Sequence, residues 1–75
     1  MSVAAPPLTL GDELEVQRLQ HRAARLRRAI GALEDRRIFR QRTDGEVPPA
    51  LRAALADFQG ELGDVERRLR VLEAA

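Results

Sequence analysis

Apolar residues recur over the last third of the chain in an unbroken alternation of four- and three-residue steps: Leu51, Leu55, Phe58, Leu62, Val65, Leu69 and Leu72. That spacing keeps one stripe of a helix pointed at a single partner, which is the seam of a coiled coil. An earlier run repeats it with Val16, Leu19, Ala23, Leu26, Ile30 and Leu33. The next seam position is Arg37, so the first pattern stops short of the segment between the two runs. That segment, TDGEVPP at 43–49, holds the one strong helix breaker. Asp44-Gly45 favours a turn, Pro48-Pro49 cannot continue a helix, and Pro49 suits the first position of a new one.

The pattern predicts an all-α antiparallel hairpin: a flexible leader at 1–9, then one hairpin domain at 10–75. Its parts are a helix at 11–41, a turn at 42–48 and a helix at 49–73. Thr9 or Asp12 can cap the first start, with Asp12, Glu13 and Glu15 at the positive end of its dipole. Folding the runs together pairs Leu33 with Leu55, Ile30 with Phe58, Leu26 with Leu62, Ala23 with Val65, Leu19 with Leu69 and Val16 with Leu72. Ala23 makes the weak layer. This register brings Glu34 near Arg52 and sets Arg22 near Arg68, two like charges. Off the seam, Leu10, Leu14 and Val71 are expected to meet at the open end, and Ile38, Phe39 and Val47 at the turn end.

Outside the seam, Ala53, Ala56, Gly60 and Gly63 step three, four, three along the second helix, and Ala24 and Gly31 lie seven apart on the first. Glycine inside a helix costs roughly 1 kcal/mol against alanine. A stripe of small residues lets another backbone approach closely, so these six form a possible second interface. The plainer reading is a solvated face in an alanine-rich chain. With 75 residues, one apolar stripe per helix and no cysteine, the chain has a small core and no disulfide to support it. Completion of a helical bundle by self-association or by a partner protein is the expectation that follows.

Charge changes the picture in one place. The net charge is +1, but residues 18–42 hold nine arginines against Glu34 and Asp35. Residues 1–17 carry three acids and no base, and lysine is absent throughout. Arginine and alanine in this abundance point to GC-rich, bacterial-type coding. Arg18, Arg22, Arg25 and Arg28 form a face that could take an acidic partner or a phosphate backbone. No aromatic residue sits among them to stack on a base.

Catalytic signatures are missing. There is no phosphate-binding glycine loop, no HExxH and no calcium loop, and the single histidine, His21, sits among arginines. Ser2, Thr9 and Thr43 are the only hydroxyls of their kind, with no base placed to activate them. The sequence therefore calls for no enzyme activity, no cofactor and no metal. With no long apolar run or export signal, it reads as cytoplasmic and without membrane contact. The expected function is a non-catalytic protein-interaction module, a small oligomerising, adaptor or accessory subunit. The alternatives are a nucleic-acid-binding hairpin dimer using the arginine face, and a structural subunit of a secretion- or phage-type assembly. No motif selects a family.

Overall fold

The computed structural model describes residues 9–43 and 45–74, so most of the expected leader and Asp44 of the turn lie outside the described residues. Two helices make up the fold, α1 (Leu10–Arg42) and α2 (Pro49–Glu73), folded against each other as an antiparallel hairpin. Among the described residues, no helix is long and apolar enough to cross a membrane.

Local chemistry sets the ends. Thr9 and Asp12 together close a capping box: the Asp12 N–H donates to the Thr9 hydroxyl at 3.1 Å and the Thr9 N–H to the Asp12 carboxylate at 3.3 Å. Two amides that the helix itself leaves unpaired are thereby satisfied. At the far end of α1 the Thr43 N–H and hydroxyl both donate to the Phe39 carbonyl, and the Gly45 N–H donates to that of Arg40 at 2.8 Å. α2 begins at Pro49 without any side-chain cap, and the Leu51 and Arg52 amides share the Pro48 carbonyl.

The core is narrow. Ala23, Leu26, Val65 and Leu69 form its buried centre, with Val16, Leu19, Phe58 and Leu62 packed against them half-buried. Leu55 and Leu72 are also buried, while Ile30, Leu33 and Leu51 are half-buried. The Ala23 layer lies at the centre of the seam. Ala23 is 1% exposed, the least exposed side chain of the seam, because it is short and surrounded by Leu26, Val65 and Leu69.

Three ion pairs cross between the helices: Arg22 with Glu61, Glu15 with Arg68, and Arg27 with Glu66. They correct the expected charge contacts. Arg22 and Arg68 do not oppose each other; each takes a carboxylate of the opposite helix. Glu34 and Arg52 form no ion pair among the described residues. In the seam register Arg22 is level with Glu66 yet bonds Glu61, five residues away, and the other two pairs are offset equally. Flanking positions of antiparallel helices therefore pair across an offset rather than level with one another.

Sliding α2 by one heptad in one direction would oppose Arg22 to Arg68 and Glu34 to Glu66 at the pairing positions. Sliding it in the other would oppose Glu15 to Glu61. Each slip retains a single attractive pair in place of three. All three pairs are largely solvent-exposed, so each contributes only about 0.2–1 kcal/mol, and their main effect is to choose the register.

Candidate interaction surface

The ion pairs divide the hairpin into two flanks. Arg22–Glu61 and Glu15–Arg68 lie on one, Arg27–Glu66 on the other. Arg68 Nε donates to Glu15 at 3.1 Å, and this hydrogen bond, aided by the carboxylate's charge, raises the guanidinium further above its ordinary value.

The Arg22 flank changes character along its length. Toward the turn it opens into a groove of ≈ 760 Å³ floored by Leu33 and Leu51, with Ala50 and Ala54 of α2 on one side and Phe39 of α1 on the other. The alanines create the space, since neither has a side chain long enough to fill it. Phe39 is 67% exposed, an aromatic ring left at the edge of an apolar trough. Asp35, Arg36 and Arg40 supply a rim of both signs. Toward the open end the same flank is charged, with Arg18 and Arg25 on the α1 side and Asp57 and Asp64 on the α2 side, all exposed. Asp64 pairs with Arg67 of its own helix, whereas Arg18 and Arg25 make no ion pair among the described residues.

On the opposite flank a second depression of ≈ 350 Å³ is lined by Gln20, Arg27, Glu66, Arg70 and Glu73 over the buried Ala23 and Leu69. It is polar at its walls. The heptad phase places Ala24 and Gly31 of α1 and Ala56 and Gly63 of α2 on this flank, while Ala53 and Gly60 sit on the back of α2. The six small residues are thus two groups. A methyl group added at Gly31 or Gly60 would have no neighbour within 4 Å, so no contact inside the hairpin requires either glycine.

The expected arginine face is also divided. Arg22 is engaged with Glu61, and Arg28 lies on the back of α1, its Nε 3.5 Å from the Ala24 carbonyl. Arg18 and Arg25 share their flank with Asp57, Glu61 and Asp64, so the surface they belong to is mixed in sign. The end clusters differ from expectation too. Leu10, Leu14 and Val71 stay more than half exposed and form no plug, because each points away from the seam. At the turn end Val47 is buried, but Ile38 and Phe39 remain exposed.

The heptad pattern does not by itself reveal the Phe39 groove. Its signal was present: Ala50 and Ala54 precede the charged half of α2, level with the aromatic residue at the end of α1. No group of three or more potential metal-ligating side chains occurs among the described residues. Compared with known proteins, the chain matches no family model, no curated protein and no solved structure.

Proposed function

We propose that this chain is a non-catalytic protein-interaction module, a small oligomerising or adaptor subunit that acts by helix packing. The observation that carries the reading is the apolar groove at the turn end, edged by a Phe39 ring two-thirds in solvent. A short hairpin gains nothing from an exposed aromatic beside an open trough, and burying the exposed two-thirds of that ring against a protein surface would be favourable by roughly 1–2 kcal/mol. Concave apolar grooves with a mixed-charge rim suit a helix laid along them. A phosphate backbone suits this flank less well, since Asp57, Glu61 and Asp64 stand beside Arg18 and Arg25 and would repel it.

The test is site-specific photo-cross-linking in cells of the source organism, with a photoreactive amino acid at Ala50 and, separately, at Arg36, both of which line the groove. Adducts to protein, whether this chain or another, support the module. Adducts confined to RNA or DNA would transfer the function to nucleic-acid binding. A ladder of adducts extending well beyond twice the chain mass would instead mark a structural subunit that polymerises.

A further inference from the structure

The interaction reading leaves open what fills the groove, and the charges on that flank supply an answer that rests on that reading. On its α1 side stand Arg18, Arg22, Arg25 and Arg36 against Glu15; on its α2 side Asp57, Glu61 and Asp64 against Arg68. One half is basic and the other acidic. A copy of the same chain laid on this flank meets opposite charge only if α1 of each faces α2 of the other. Placing α1 on α1 brings the arginine rows together, and α2 on α2 brings the acids together.

A two-fold axis parallel to the hairpin, with both turns at the same end, gives that crossed arrangement and keeps every level of the register. Along the outer row of this flank α1 presents Arg18, Ala32, Phe39 and, between the first two, Arg25; α2 presents Val71, Asp64, Asp57 and Ala50. Both series step by seven and run level to within one residue. Phe39 therefore falls on the small Ala50 of the other copy, beside Ala54 in the trough. Arg25, which has no ion pair of its own among the described residues, falls on Asp64. Arg18 lays its stem along Val71, an apolar side chain 62% exposed in the single hairpin. No like charges oppose in this outer row; on the inner row Arg22 of one copy comes level with Arg68 of the other, and each is neutralised within its own hairpin, by Glu61 and Glu15 respectively.

We infer that two copies of this chain pair side by side through the Phe39 flank, turns together, into a four-helix bundle in which Phe39 of each occupies the groove of the other. The bundle gives each copy a second apolar contact at the turn end, where the seam of α1 has already run out at Arg37.

Light scattering and sedimentation across a concentration series, with circular dichroism on the same samples, test this on the full chain. The wild type is expected to be a dimer. Phe39→Glu places a charge in the groove and is expected to weaken association at least roughly tenfold while helicity at high concentration persists. Asp64→Arg is expected to weaken it several-fold, and Arg25→Asp combined with Asp64→Arg to restore it, because the exchange re-forms the pair between chains. All three positions are exposed, so none of these variants removes the hairpin's own core. A wild type that stays monomeric into the millimolar range overturns the dimer and leaves the cross-linking test of the module standing. A dimer indifferent to Phe39→Glu, or one in which the double exchange fails to rescue, overturns this face as the contact.

Discussion

Arg22 of α1 and Glu61 of α2 form an ion pair across the hairpin, although Arg22 is level with Glu66 in the seam. With Glu15–Arg68 on the same flank, the pair marks one alignment of the helices out of those that the leucines alone would accept. Arg22→Glu should destabilise the hairpin by about 1 kcal/mol, since it removes one attraction and opposes Glu61. Adding Glu61→Arg should recover most of the loss. Urea unfolding of the four chains in the cycle measures this, and a double variant no better than the worse single one would show that the pair does not act in the register. The difference should shrink in high salt.

Ala23 should tolerate enlargement poorly. It sits at 1% exposure among Leu26, Val65 and Leu69, so the larger side chain of Ala23→Leu must displace one of them and should cost about 1–3 kcal/mol through strain. Leu26→Ala in the same cluster should cost about 2–4 kcal/mol through the cavity it leaves. Thermal melts followed by circular dichroism give both values. An Ala23→Leu chain more stable than the parent would mean that the helices are not closed at this layer.

The glycines of the helix exteriors should behave in the opposite sense. Gly31→Ala and Gly60→Ala should each stabilise the hairpin by about 0.5–1 kcal/mol, since the new methyl meets nothing and the unfolded chain loses freedom. Gly60→Leu should leave the association state unchanged, because the back of α2 is not the Phe39 flank. Loss of association in that variant would make the back of α2 an interface. Gly45→Ala should bring no gain: its Cβ would lie 3.3 Å from Arg40 Cδ and 3.4 Å from the Arg40 carbonyl oxygen.

Thr9→Ala should cost about 1 kcal/mol by opening the capping box, with the loss confined to the first turn of α1. Amide exchange at Asp12 and Glu13 would read it directly; unchanged protection there would mean that the box contributes nothing.

The hairpin was legible because its information is one-dimensional. The heptad steps of Leu51 to Leu72 place a stripe, Pro48-Pro49 places the break, and a short connection leaves the helices no neighbour but each other. The capping box is half legible: the sequence offers Thr9 and Asp12 as alternatives, and the reciprocal geometry uses both. The charge contacts were not legible from level matching. Glu34 with Arg52 and Arg22 with Arg68 are close in height, yet pairing across antiparallel flanks runs between offset positions. The groove failed for a related reason. Hydrophobicity alone assigns Phe39 to an end cluster, whereas its position on α1 places it at the edge of the space that Ala50 and Ala54 leave open.

The two helix starts differ in a way that bears on how the molecule opens. α1 holds its first turn by reciprocal side-chain bonds, independent of α2. α2 has no acidic residue in its first turn and no side-chain cap, so its first amides lean on one proline carbonyl and on the docking of the segment around the buried Val47. Local unfolding should therefore begin at the proline end of α2, which is also a wall of the groove. A partner seated there would act as a splint, slowing hydrogen exchange at Leu51 and Arg52 far more than at Asp12 and Glu13, and the ratio of those rates would report occupancy of the groove without any label on the partner.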